Sequence, residues 1–189
     1  MTKEMARENL EFWFCLLLKN ENHMSTKIVG FQSEHDASYC ILEDGIPIIH
    51  EEMERMTRRK MEQADGLKFF FSRQNDFSDV KYFTFGNWGY RSGIYEKDYF
   101  TKEADDKMRE IVAKNEGAYF EFGHHVSHAA NAFYTSNFDN ALIITVDGGG
   151  WEPGHFATAL AISEGLDNKI TRIKVFEQVK VNLGRMYSK

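Results

Sequence analysis

The stretch ALIITVDGGG, residues 141–150, is the clearest structural signal in the chain. Its first six residues are apolar apart from one threonine, which is typical of a strand buried on both faces. Asp147 ends this run, and the three glycines after it permit a turn whose successive backbone N–H groups face an anion such as phosphate. For an isolated DGGG, a flexible turn between antiparallel strands is the alternative interpretation, and the more common one.

Working outward, the pattern around this stretch occurs twice. Three short strands joined by polar turns are expected within 141–177, and the same plan is expected within 27–50. In the first copy, Asp44-Gly45 is a typical hairpin turn, and Pro47 indicates that the third strand lies at an edge of its sheet. We therefore predict a duplicated β-β-β plan.

Between the two copies the sequence favours helices and further strands. The expected elements are a helix from Glu51 to about Ala64, a strand over 80–85, a helix from Thr101 to about Asn115, a strand over 118–122 and a helix over 124–134. Together with the two sets of strands, these elements indicate an α/β fold.

His124 and His128 are the strongest candidates for chemistry. Residues four apart on a helix lie on the same face, so both imidazoles would point to one place, as metal-ligating pairs do. Asp147 would add an oxygen ligand, and two imidazoles with a carboxylate suit iron(II), zinc or manganese. A histidine pair at this spacing alone is more often structural or exposed. His125 points to another side of the helix, where it would support the ligands, face a substrate or pack in the core.

Composition and charge exclude several classes of protein. The chain has 189 residues, of which 42% are hydrophobic, and a net charge of −6 from 23 basic and 29 acidic residues. The basic residues are spread along the chain, so we expect no nucleic-acid binding. The apolar run at 12–18 is too short to cross a membrane, and we expect no membrane partner. Two isolated cysteines, Cys15 and Cys40, fit a cytoplasmic protein.

Several motifs taken together resemble the N-terminal part of the NodU/CmcH-type O-carbamoyltransferases. These motifs are IVG at 28–30 with HDAS at 35–38, EExxRxTR at 51–58, HHVSHAANAFYTS at 124–136 and TVDGGG at 145–150. The resemblance runs from about Lys27 to Tyr187. Glu34 departs from it, because the family usually has glycine at that position.

The resemblance implies an actin-like ATPase fold, which is ribonuclease H-like, duplicated and related to that of the threonylcarbamoyl-adenosine synthases. The residues before this region favour an N-terminal extension, helical, over 1–26, and the resemblance implies a complete first lobe over 27–138. Residues 139–189 would form the start of a second lobe, which is truncated. A second chain completing that lobe would be a partner, and we expect the present chain to be inactive alone.

The resemblance also implies an activity. Such enzymes use ATP and carbamoyl phosphate to make a carbamoyl-adenylate, and they pass the carbamoyl group to a hydroxyl of a small molecule. Carried over by motif position, a divalent transition metal, Fe²⁺, would be held by His124, His128 and Asp147. The residues that would line the nucleotide and substrate cleft are His35, Asp36, His125, Gly148, Gly149 and Gly150.

Two alternatives stay open. The chain could be a non-catalytic module that binds a metal or a nucleotide and docks on a partner chain. It could also be a sugar-kinase-like or chaperone-like protein of the same fold. The histidine pair disfavours this second alternative, because those proteins bring magnesium in with the nucleotide.

Overall fold

A computed structural model describes residues 25–86 and 101–178. They form two compact units, which divide between Phe122 and Gly123. The N-terminal extension expected over 1–26 falls almost wholly outside the described residues. Within the described ranges, no helix is both long and apolar enough to cross a membrane.

The first unit is a five-stranded mixed sheet with three helices among its described residues. Its elements are β1 (Lys27–Gln32), β2 (Ser38–Glu43), β3 (Ile46–Glu52), α1 (Met53–Thr57), α2 (Gly66–Arg73), β4 (Val80–Phe85), α3 (Lys102–Lys114) and β5 (Ala118–Glu121). The strand order is β3-β2-β1-β4-β5. Strand β2 is antiparallel to β1 and β3, whereas β1, β4 and β5 run parallel. The α/β class is therefore confirmed.

The hairpin between β2 and β3 agrees with the sequence. Asp44 and Gly45 have φ angles of 50° and 82°, and two successive left-handed residues make the type of turn that matches the twist of antiparallel strands. Strand β3 lies at the edge of the sheet. Pro47 has no backbone N–H, and at an edge this does not remove a hydrogen bond from the interior of the sheet.

The helix expected from Glu51 to about Ala64 is wrong in extent. Strand β3 continues through Glu52, and α1 is only five residues long. It ends because Arg58 adopts a left-handed conformation with φ 62°, which cannot continue a right-handed helix.

Helix α2 was not predicted, although its sequence contains a start signal. The Asp65 carboxylate accepts the backbone N–H of Leu67 and Lys68 at 2.9 and 3.0 Å, which satisfies two donors of the first turn. Three consecutive phenylalanines, 69–71, obscure the helical period, since an apolar run of this length also fits a strand.

The second unit contains α4 (His124–Tyr134), β6 (Asn140–Glu152), β7 (His155–Leu166) and β8 (Lys169–Glu177). The three strands form an antiparallel sheet in the order β6-β7-β8. Both units thus contain a three-stranded antiparallel meander. The complete duplication of an actin-like fold and the lobe boundary at residues 138 and 139 stay predictions.

Helix α4 packs on the sheet through residues four apart. His125, Ala129 and Phe133 are its buried positions, as expected for one stripe of a helix. Gly165 of β7 makes room for this packing, because a Cβ there would lie 2.5 Å from the ring of Phe133.

Strand β6 corrects two expectations from the sequence. It continues through Asp147–Gly150 to Glu152, so this segment is extended and not a turn, and the pairing with β7 shifts register between Val146 and Gly150. The chain turns instead at Pro153 and Gly154. The strand is also not buried on both faces, because Leu142, Ile144 and Val146 are exposed.

Candidate metal centre

The second unit brings together the three predicted metal ligands. His124 Nε2 lies 2.6 Å from Asp147 Oδ2, and His128 Nε2 lies 3.0 Å from His124 Nε2. His128 Nε2 lies 3.3 Å from Asp147 Oδ2. The helix expected over 124–134 has those bounds in the structure, and its period places both imidazoles over Asp147.

The spacing and the chemistry of these atoms fit a first-row transition metal. Metal bonds to imidazole nitrogen and carboxylate oxygen are about 2.1 Å long, so ligands at right angles lie about 3 Å apart. All ligand atoms of the group lie within 4.8 Å of one another. The side chains of His124, His128 and Asp147 are 23%, 53% and 41% exposed, which leaves one side of the group open to further ligands.

The charge state of Asp147 suits a ligand. Hydrogen bonds from His124 and then His128 hold the pKa of the Asp147 carboxyl well below its usual range. The carboxylate is therefore ionised at neutral pH, as metal binding requires.

Glycine at position 150 permits the position of His124. A Cβ on Gly150 would lie 2.3 Å from Cδ2 of the His124 ring, so the imidazole lies directly against the backbone of β6. Nearby, the N–H of Gly148 donates to Asp147 Oδ1 at 2.5 Å, and Gln178 Nε2 donates to the Gly148 carbonyl at 2.6 Å. These contacts fix the strand around Asp147.

Each of the three glycines predicted to face a phosphate lies next to a different protein group in the structure. The N–H of Gly148 is directed at Asp147, and Gly149 lies beside Gln178. Gly150 lies under His124. The part played by these three residues in nucleotide binding stays a prediction.

His125 lies in the core of this unit, and its part in nucleotide or substrate binding stays a prediction. It is 1% exposed, and its Nδ1 and Nε2 atoms lie 2.8 Å from Thr145 Oγ1 and 2.9 Å from the Thr158 carbonyl. Burial lowers the pKa of this histidine, which favours the neutral ring. Its Nε2–H then donates to Thr158, and its Nδ1 accepts from the Thr145 hydroxyl.

Two residues of this region were not found from the sequence. Glu152 is fully buried, and its Oε1 accepts the backbone N–H of His125 at 2.5 Å and of Val126 at 3.3 Å. Its Oε2 forms an ion pair with Arg172 of β8. One signal was available: Arg172 follows buried Ile170 by two residues, which places a cation on the buried face of β8.

His35 and Asp36 lie in the first unit, in the polar turn after β1. Their side chains are about half exposed, and His35 Nδ1 lies 2.7 Å from Asp36 Oδ2. Glu34, in the same turn, has φ 78°. This left-handed conformation explains why glycine suits the position. Binding of a nucleotide by His35 and Asp36 stays a prediction.

Two longer proteins are similar to this chain over part of their length. No protein-family model matches the chain. The uncharacterized protein sll1178 of Synechocystis sp. is 26% identical over 179 aligned positions, which cover 77% of this chain and 28% of that protein.

A solved structure shares the fold. The crystal structure of full-length HypF in its phosphate- and nucleotide-bound form matches with a TM-score of 0.51 and 12% sequence identity. The match covers 78% of this chain and 18% of HypF. The chain thus spans less than a third of the length of either protein.

Proposed function

We propose that this chain is the N-terminal part of an ATP-dependent O-carbamoyltransferase. The enzyme would take the carbamoyl group of carbamoyl phosphate, form a carbamoyl-adenylate and transfer the group to a hydroxyl of a small molecule. A divalent transition metal, Fe²⁺, would bind His124, His128 and Asp147. The observation that carries the proposal is the convergence of these three ligand atoms within 4.8 Å, in the two motifs that most resemble the family.

Two further observations support it. The first unit has the strand order β3-β2-β1-β4-β5, with β2 antiparallel to the other strands, which is the order of ribonuclease H-like folds. The protein with a similar fold, HypF, was solved with phosphate and nucleotide bound. We extend both ligand classes to this chain, with His35, Asp36 and Gly148–Gly150 as the proposed contacts of the nucleotide.

The residues of the centre prepare it for a cation. Each histidine must offer an Nε2 lone pair to the metal, so binding displaces the protons through which the two imidazoles hydrogen-bond to Asp147. Asp147 is already ionised and supplies the negative charge. A bound metal would act as a Lewis acid toward a phosphate or carbonyl oxygen entering from the exposed side.

Metal analysis tests the centre directly. The chain, purified without chelator, is expected to contain about one first-row transition metal ion, because three converging ligands with open positions suffice for such a site. His124→Ala/His128→Ala should lose it. The matched control His50→Ala/His155→Ala removes two exposed histidines elsewhere and should retain it. Equal metal content in all three proteins would contradict the proposal.

A glycine pair tests the geometry of the same centre. Gly150→Ala puts a methyl group against the His124 ring, whereas a Cβ at Gly148 meets nothing within 4 Å. We expect Gly150→Ala to weaken metal binding about 10-fold, which is typical when a group that orients a metal-ligating side chain is changed. Gly148→Ala should leave metal binding nearly unchanged.

Turnover separates the enzyme from the binding module. The chain is incubated with ATP, carbamoyl phosphate and a panel of hydroxyl compounds, and pyrophosphate release is measured. Release that depends on His124 indicates catalysis by this chain. Nucleotide binding without release favours the non-catalytic module or the need for a second chain.

A further inference from the structure

A buried carboxylate connects the two elements that carry the candidate ligands. We infer that Glu152 is the positioning residue of the proposed metal centre, with Arg172 as its counter-ion. The inference rests on the proposed function, since metal binding is the property that Glu152 would control.

The contact between Glu152 and α4 is directional. The carboxylate accepts the N–H of His125 at 2.5 Å and of Val126 at 3.3 Å, two donors of the first turn that have no partner within the helix. Its negative charge also lies at the positive end of the helix dipole. Gly123 permits this approach, because a Cβ there would lie 2.2 Å from Glu152 Oε2.

The same strand holds the candidate ligand and the positioning group. Asp147 and Glu152 are both in β6, whereas His124 and His128 begin the helix that Glu152 holds. The hydrogen bonds of Glu152 therefore set how far the first turn of α4 lies from β6. That distance determines the 2.6 Å separation of His124 Nε2 and Asp147 Oδ2.

Arg172 makes the buried charge tolerable. The Glu152 side chain is 0% exposed, and an unpaired carboxylate in such a place would be strongly destabilising. The ion pair with Arg172 extends the connection to β8, so the helix is held by two strands of the sheet.

Three variants separate positioning from folding. Glu152→Leu/Arg172→Met removes both charges and the acceptor, and such apolar replacement of a buried pair often preserves stability. Glu152→Gln/Arg172→Met also removes both charges but keeps an oxygen that accepts the N–H of His125. Glu152→Asp keeps the ion pair and withdraws the carboxylate by one methylene group. The exposed Glu164→Gln of β7 is the control.

The measurement is a titration of each 189-residue chain with Co²⁺ after treatment with chelator, followed by visible absorption. Circular dichroism checks the fold of each variant. We expect Glu152→Leu/Arg172→Met to bind Co²⁺ about 10-fold more weakly than the wild type, the loss typical of groups that orient metal ligands, with altered absorption bands. Glu152→Gln/Arg172→Met should recover most of the affinity, and Glu164→Gln should match the wild type.

The outcomes distinguish this inference from the proposed function. A wild-type chain that binds no Co²⁺ overturns both. Wild-type binding together with equal affinity and equal bands in folded Glu152→Leu/Arg172→Met overturns only the positioning role. If that variant does not fold, Glu152→Asp decides: weaker binding supports the inference, and wild-type binding overturns it.

Discussion

The interiors of the two units are built differently. The first unit has a cluster of twelve buried apolar residues, and six of them are aromatic: Phe31, Tyr39, Phe69, Phe70, Phe83 and Phe85. The corresponding cluster among the described residues of the second unit has four members, Ala129, Phe133, Ile143 and Ile170. Five of the six buried polar residues in the described chain lie in the second unit: His125, Thr145, Glu152, Thr158 and Ser163.

This difference matters for function. Apolar packing is non-directional and accommodates small shifts, whereas hydrogen bonds weaken steeply when their geometry changes. The second unit uses directional contacts at the end of α4 that carries His124 and His128. Its apolar contacts, around Phe133, lie at the other end of the helix. The polar interior thus holds the candidate ligands in place, and the aromatic interior of the first unit supplies stability.

The largest expected effect tests the aromatic interior. Phe83 is fully buried in β4, with its ring centroid 5.8 Å from that of Phe70. Phe83→Ala should lower the free energy of unfolding by about 3–5 kcal/mol, because it removes buried area and leaves a cavity. Urea unfolding followed by circular dichroism measures this loss.

A control variant puts that loss in proportion. Phe138→Ala removes the same side chain where it is 67% exposed, and it should change stability by less than about 0.5 kcal/mol. If both variants lost the same amount, the aromatic cluster would not be the main source of stability.

A medium effect tests the polar interior. His125→Leu keeps the volume but leaves the Thr145 hydroxyl and the Thr158 carbonyl without their imidazole partner. We expect the free energy of unfolding, measured in the presence of chelator, to fall by about 2 kcal/mol, because buried polar groups are left unsatisfied. His128→Leu, on the exposed side of the same helix, should cost far less. If His125→Leu left the free energy of unfolding unchanged, the polar interior would behave like an apolar one.

Some local features of each unit could be predicted from the sequence. The bounds of α4 and the hairpin at Asp44-Gly45 depend on residues close together in the chain, and both are confirmed. Strand β6 shows where this fails. Glycines serve tight turns and close contacts equally well, and only the contact between Gly150 and His124, 26 residues apart, shows which use applies.

The residues of the candidate site also fall into two groups, those that a local sequence pattern predicts and those that meet only in the folded chain. The spacing of His124 and His128 is a local pattern, so their convergence on one place was predictable. Glu152 and Arg172 meet across a sheet, and no local spacing connects them. His125 could not be assigned from its neighbours. Supporting the ligands, facing a substrate and packing in the core all fit its position until the packed face of the helix is known.

The smallest expected effect concerns the one hydroxyl among the six aromatic rings of the buried cluster in the first unit. Tyr39 donates its hydroxyl to Glu51 and accepts from Gln74 Nε2 at 2.8 Å. Burial, together with the hydrogen bond to Glu51, raises the pKa of Tyr39 from 10.0 to about 12. The hydroxyl of Tyr39 therefore needs hydrogen-bond partners at the side of an otherwise apolar cluster.

The pH dependence follows from the direction of this shift. Below pH 10 the hydroxyl keeps its proton in both states, so its contribution to stability is complete. Above pH 10.0 the unfolded chain releases the proton first, and the contribution falls as the pH rises through about 12. At about pH 11 the loss should be about 1 kcal/mol, since one pKa unit corresponds to about 1.4 kcal/mol. Tyr39→Phe cannot ionise and should show a shallower decline of unfolding free energy over this range, measured by urea unfolding at stepped pH. An equal decline in both proteins would mean that Tyr39 ionises as readily in the folded state as in the unfolded one, and that its hydroxyl is not held as the structure shows.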